Sequence, residues 1–190
     1  MPARTARVPD DAQWRSLPDT SRALVIRNRA DEQFLAVEQQ HERIVAFSRS
    51  AVGLAFLPAS YIARGQSDID FFLLSLRRLH RVCQLVRRSA LPTGSLRQAM
   101  ATFDRQVLPV TGVRNALEHL DSTAVSGNAG FGYGIGEDRV LITHNGTRLD
   151  TKTLFLAARD VHAAIRLTVD PIAAADVHGQ YPIVALPGSA

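Results

Sequence analysis

The stretch with the richest side-chain chemistry is residues 114–121, with the sequence Arg-Asn-Ala-Leu-Glu-His-Leu-Asp. A helix turns by about 100° per residue, so Asn115, Glu118 and His119 fall on one side of it, with Arg114 at the flank. One helical turn would therefore present a guanidinium, an amide, a carboxylate and an imidazole together, whereas a plain solvent face mixes Lys and Glu. This turn is the best chemical lead in the sequence.

Two other interpretations of this turn remain open. Arg114, Glu118 and Asp121 are three or four residues apart, so their charges can simply pair with one another along the helix. Alternatively, Glu118, His119 and Asp121 could bind a metal ion together with a fourth ligand, His144. The chain would then be a helical interaction module in the first case and a metal protein in the second.

A second group of cationic side chains lies on an earlier helix. Arg77, Arg78 and Arg81 stand beside a stripe of apolar residues that repeats with helical spacing. Such arginines form either a solvated face or a strip that faces RNA or a protein partner. His80 and Cys83 share the apolar face three residues apart, and core packing is favoured over metal binding because no matching pair is nearby.

Composition limits the class of protein. The chain has 190 residues, 46% of them hydrophobic, which suits one domain with a sizeable core. The net charge of +4 is compatible with a nucleic-acid partner. A single cysteine, Cys83, excludes an internal disulfide framework and predicts the reducing cytoplasm. The start of the chain predicts no signal peptide, and the most apolar stretch, residues 44–63, predicts a buried helix rather than a membrane span.

The apolar periodicity predicts a mainly α fold, an up-and-down bundle of four to five helices with a small β-hairpin before the last helix. The helices are expected at about 32–57 behind an Asp31 cap, at 68–89 behind a Ser67 capping box, at 95–122 and, behind Asp150 or Thr151, at 151–168. Gly65 is expected in the loop between the first two helices, and the apolar run 23–26 is either a strand or the first turn of a helix. Pro109 is expected to kink the third helix rather than divide it.

Glycine-rich residues 130–136 are expected to be extended, and Asn145-Gly146 to form a hairpin turn. Residues 1–20 are predicted to be an N-terminal arm, with Trp14 and Leu17 as its anchors. Residues 21–170 are predicted to be the bundle, with the hairpin inserted at about 130–150, and residues 171–190 an irregular tail.

The pattern Arg114-Asn115-x-x-x-His119, on a late helix of a short bundle, resembles the motif of HEPN domains. In that family an Arg is followed after four to six residues by His, often with Asn directly after the Arg. The spacing also occurs from Arg139 to His144, but on a predicted strand, where an odd separation places the two side chains on opposite faces.

The resemblance implies an RNA-directed protein, specifically a metal-independent endoribonuclease of toxin or defence type that acts as a homodimer. It implies no metal and no other cofactor, and it leaves room for an inhibitory protein partner. His119 would act as general base or acid, Arg114 would stabilise charge on the phosphate, and Asn115 would orient one of them. Glu118 would position the guanidinium. The alternative is a non-catalytic helical dimer or protein-interaction module.

Overall fold

The computed structural model of the protein describes residues 11–54, 56–89, 91, 94–118 and 131–169, with the backbone alone at 11, 13 and 116–118. In chain order these residues form α1 (Asp11–Ser16), α2 (Asp19–Ala51), α3 (Ala59–Arg87), α4 (Gly94–Val107), α5 (Val110–Glu118), β1 (Phe131–Ile135), β2 (Val140–His144), β3 (Thr147–Asp150) and α6 (Thr151–Val169). The predicted mainly helical bundle with a small antiparallel sheet before the last helix is confirmed.

Helix α2 begins thirteen residues before the start that its sequence predicts. Pro18 precedes its first turn, and the carbonyl oxygen of Pro18 accepts the N–H of Arg22 at 2.9 Å. The prediction that Asp31 caps this helix is wrong, because Asp31 lies in its interior and its carboxylate contacts α6 instead. The short apolar run 23–26, which could have been a strand, is therefore helical.

Helix α3 also begins early, directly after Pro58, so the predicted loop at Gly65 and the Ser67 cap are both wrong. Gly65 lies within this helix, and it is buried because α2 comes very close there. A Cβ atom added at Gly65 would lie 2.7 Å from ring atoms of Phe47 on α2. The glycine thus serves a tight contact between two helices, and the chain does not turn at this position.

The predicted single kinked helix is instead two helices, α4 and α5, separated at Leu108 and Pro109. The N–H of Leu108 still donates to the carbonyl oxygen of Asp104 at 2.8 Å, but Pro109 has no N–H to continue the ladder. A new helix then starts, with the N–H of Val113 donating to the carbonyl oxygen of Pro109 at 3.3 Å. Pro109 therefore fixes the point in the chain at which α4 ends and α5 begins.

The small sheet is antiparallel with the order β1-β2-β3, so the glycine-rich segment adds a strand to the predicted hairpin. Asn145 and Gly146 both have positive φ, 48° and 76°, as the predicted turn requires. Asp150 caps α6, since its Oδ1 accepts the N–H groups of Lys152 and Thr153. The predicted start of the last helix is confirmed.

One core joins the helices and the sheet. Helix α6 packs against α2 and α4 and runs antiparallel to α2, since Phe155 lies beside His41 while Arg166 lies beside Asp31. Trp14 of α1 is buried in this core, as its predicted anchoring role requires. Among the described residues, no helix combines the length and apolar character needed to cross a bilayer.

Candidate functional site

Helix α5 carries the part of the predicted catalytic turn that the structure describes. Val110 and Val113 are buried, and the helix packs chiefly against α3. Arg114 is half-buried and interacts with other parts of the chain, whereas Asn115 is exposed. Val110 and Val113 are three residues apart, so they form one buried stripe on this helix.

The structure describes the other two predicted catalytic residues, Glu118 and His119, only in part. The backbone of Glu118 closes α5, one turn after Arg114, so these two are placed on the same side of the helix. His119 lies outside the described residues. The structure thus brings Arg114, Asn115 and the backbone of Glu118 onto one helix, and the position of His119 stays a prediction.

The predicted RNA-facing residues form an arginine strip, Arg77, Arg78 and Arg81, on the solvent side of α3. Arg78 and Arg81 are exposed and Arg77 is half-buried. Within the described part of the chain none of the three has a hydrogen bond or an ion pair. Phe71, two turns before Arg78, is 55% exposed on the same face. Unpaired guanidinium groups beside an exposed ring suit phosphates and bases of RNA.

The buried side of α3 carries no reactive site. Burial raises the pKa of the Cys83 thiol to about 12, so no thiolate forms at neutral pH. His80 Nε2 lies 3.1 Å from Asp104 Oδ1, and Arg87 pairs with the same carboxylate. Among the described residues, no three His, Cys, Asp or Glu side chains are grouped closely enough to hold a metal ion.

The second Arg-x4-His match is divided between separate partners. Arg139 pairs with Asp150 at 3.3 Å, whereas the His144 ring stacks on Phe131 with centroids 4.2 Å apart. His144 follows buried Val140 and Ile142 in the alternation of β2, and Arg139 has the opposite parity. The two side chains therefore lie on opposite faces, as their spacing predicts.

A partly buried polar cluster, which the sequence does not predict, lies between α2 and α6. Asp31 accepts hydrogen bonds from His162 Nε2 at 2.9 Å and from Arg166 Nη1 at 2.6 Å. Burial alone raises the pKa of Asp31, but the His162 hydrogen bond and the Arg166 charge outweigh it, so this pKa lies below 3.8. His162 is only 4% exposed, which keeps a macromolecular substrate away. The cluster therefore joins two helices.

Stacked rings continue this α2–α6 contact. Phe34 stacks on His162 with centroids 4.4 Å apart, and His41 stacks on Phe155 at 4.1 Å. Burial lowers the pKa of His41, which favours its neutral ring. His41 is thus half-buried at the boundary between α2 and α6. The one sequence signal for the cluster is the pair His162 and Arg166, four residues apart on one helix face.

No protein-family model, no curated protein and no solved structure matches this chain. The likeness of the Arg114 motif to HEPN domains therefore remains a prediction from its residues.

Proposed function

We propose that the chain is an RNA-directed protein of the HEPN type, which acts as a homodimer and cuts RNA without a metal ion. The observation that supports this proposal best is the setting of α5. Its valines are anchored in the core, while Asn115 is exposed and Arg114 is partly exposed on the same helix. A rigid helix is a suitable support for side chains that must hold a phosphate.

In the proposed reaction the ribose 2′-OH attacks the neighbouring phosphorus, and the bond to the 5′ oxygen of the next nucleotide breaks. His119 of one subunit removes the proton of the 2′-OH, or donates a proton to the leaving oxygen. Arg114 stabilises the charge that develops on the phosphate. Asn115 orients one of these groups, and Glu118 positions the guanidinium.

The dimer is part of the proposal because a single helical turn cannot surround a phosphate. Two copies of α5 around a twofold axis would supply two imidazoles and two guanidinium groups to one cleft. One histidine could then act as base while the other acts as acid. The arginine strip on α3, the helix against which α5 packs, would hold the flanking phosphates.

The proposed function is tested by incubating the purified protein with single-stranded RNA and excess EDTA. Cleavage should continue in the chelator, and the products should carry a 5′ hydroxyl because the 2′-OH is the attacking group. Products with a 5′ phosphate, or activity that EDTA abolishes, would contradict the metal-independent mechanism.

The arginine strip gives a separate prediction about RNA binding. Replacing both Arg78 and Arg81 with glutamine should weaken binding and reduce the slope of log affinity against log salt by about 0.7 for each lost phosphate contact. The matched control is Arg159→Gln, which removes one exposed charge from α6, where Arg159 pairs with Asp160. Filter-binding titrations at several salt concentrations measure the slope. Equal slopes in all three proteins would exclude the strip from the RNA-binding surface.

The alternative function is a non-catalytic helical dimer. Leu24 and Leu35 favour it, because they are 49% and 53% exposed and lie on the same side of α2, three turns apart. Exposed leucines along one helix face can pack against a second copy of that helix. A dimer that neither binds nor cuts RNA, and that Leu35→Ser converts to a monomer, would support this alternative.

A further inference from the structure

The most apolar stretch of the sequence, residues 44–63, is not the buried helix that its composition predicts. Its central part forms the turn between α2 and α3, on the outside of the molecule. Among the described residues, the exposed large apolar side chains in this turn and at the start of α3 are Val52, Leu54, Phe56 and Ile62, at 42%, 56%, 81% and 40%. We name these four residues the apolar tip. Turns between helices are usually polar, so an apolar one indicates a surface that another apolar phase covers.

Cationic side chains surround the apolar tip. From residue 43 to residue 68 the charged residues are Arg43, Arg49, Arg64 and Asp68, which gives a net charge of +2 from three arginines and one aspartate. All three arginines are exposed. The helical rise of about 1.5 Å per residue places Arg49 within about 5 Å of the end of α2 and Arg64 about 8 Å into α3. The turn is therefore an apolar projection flanked by three arginines. We name Arg43, Arg49 and Arg64 the arginine collar.

A cleft lies between α2 and α3 next to the apolar tip. Its volume is about 490 Å³, and its lining includes Arg43, Arg64, Ser50 and Tyr61. Asp68 also lines the cleft, and its carboxylate forms an ion pair with Arg43 Nη1 at 3.7 Å. Arg64 has no hydrogen bond or ion pair within the described residues. The Ser50 and Tyr61 hydroxyls are hydrogen-bonded to each other, so the Arg64 guanidinium is the donor that the cleft offers to a phosphate group.

We propose that the turn between α2 and α3 docks the protein on the surface of a membrane that contains anionic phospholipids. The apolar tip enters the boundary between headgroups and acyl chains, to a depth of about 5–10 Å. At that depth Arg49 and Arg64 reach the level of the lipid phosphates, and the cleft receives one headgroup. This inference does not depend on the proposed RNA cleavage.

The shape and charge of the turn favour a lipid surface over a protein partner. Phe56, at 81% exposed, projects from the end of a helical hairpin, whereas protein interfaces bury apolar side chains in matched, closely packed patches. A fluid bilayer accepts such a projection without a preformed pocket. The arginine collar then adds attraction to anionic headgroups, which neutral lipids cannot provide.

The test is sedimentation of the full chain with vesicles of phosphatidylcholine alone, or with roughly one third phosphatidylglycerol. The protein should sediment with the anionic vesicles, and added salt should release it. Phe56→Ser should weaken this binding by about tenfold or more, since one large apolar side chain no longer enters the lipid. Arg64→Gln should weaken it less and flatten the salt dependence.

Two matched controls make the outcome decisive. Leu108→Ser removes an exposed apolar side chain, 76% exposed, at the α4–α5 junction, and Arg148→Gln removes an exposed charge from β3. Both variants should bind vesicles as the parent does. The proposal is overturned if the parent stays in the supernatant with anionic vesicles, or if Leu108→Ser and Phe56→Ser bind equally. It is also overturned if soluble glycerol 3-phosphate abolishes binding at low concentration, or if Phe56→Ser merely converts a dimer to a monomer.

Discussion

Replacing His119 with alanine is expected to slow RNA cleavage by about 10²–10⁴-fold, the usual effect of removing a general acid or base. The loss should be the same with and without EDTA, because no metal-bound water can take over the proton transfer. Arg114→Ala should slow cleavage by about 10²–10³-fold, since the guanidinium stabilises charge that appears mainly in the transition state. Single-turnover cleavage of a short labelled RNA measures both effects.

The control for this prediction is already in the chain. His144→Ala removes the histidine of the second Arg-x4-His spacing, whose ring stacks on Phe131 away from Arg139. This variant should cut RNA at the parent rate, and far-ultraviolet circular dichroism should confirm that each variant is folded. Equal activity of the His119→Ala variant and the parent would remove the proposed mechanism. Equal loss in His119→Ala and His144→Ala would indicate a general effect on the fold.

The largest expected effect on stability comes from Asp31. Its carboxylate, about 39% exposed, accepts hydrogen bonds from His162 and Arg166. Asp31→Ala leaves two donors at the α2–α6 contact without their acceptor, which should lower the free energy of unfolding by about 2 kcal/mol after a discount for partial solvent exposure. Urea unfolding followed by circular dichroism measures the change.

Asp160→Ala is the matched control for Asp31→Ala. Asp160 lies on α6 and pairs with Arg159 at 3.5 Å, but its side chain is 67% exposed. Its removal should change the free energy of unfolding by less than about 0.5 kcal/mol. If the two variants are equally stable, the Asp31 cluster does not hold α6 to α2.

The stabilisation by Asp31 should also depend on pH. Its pKa in the folded protein lies below the ordinary 3.8, so the folded state favours the charged carboxylate. The resulting stability is therefore fully present well above pH 3.8 and is lost as the pH falls below it. The difference in free energy between the parent and Asp31→Ala should shrink over that acidic range.

The sequence predicts correctly those parts of the fold that depend on residues close together in the chain. The Asn145-Gly146 turn and the Asp150 cap are each fixed by residues within a few positions of one another. The sequence predicts the starts of α2 and α3 too late because Asp31 and Ser67 resemble helix caps, whereas the two helices begin after Pro18 and Pro58. A proline in that position fixes the backbone for a first turn but forms no side-chain cap.

Long-range contacts explain most of what the sequence could not predict. His162 and Asp31 are 131 residues apart, so no local pattern predicts their hydrogen bond. The sequence wrongly predicts a loop at Gly65 because the contact that requires glycine there, the ring of Phe47, lies on another helix. The candidate site is different, since the helical setting of Arg114 and Asn115 follows from local apolar spacing, whereas the half-burial of Arg114 depends on α3.

The central claim is that the Arg114 motif meets its own copy across a twofold axis, and cross-linking of an Asn115→Cys variant tests it most directly. Asn115 is exposed, and the buried native Cys83, with a pKa of about 12, should not react with a maleimide. A short bis-maleimide should join two Asn115→Cys subunits efficiently and leave Asp160→Cys subunits unjoined. A monomeric protein, or equal cross-linking of the two variants, would contradict the claim.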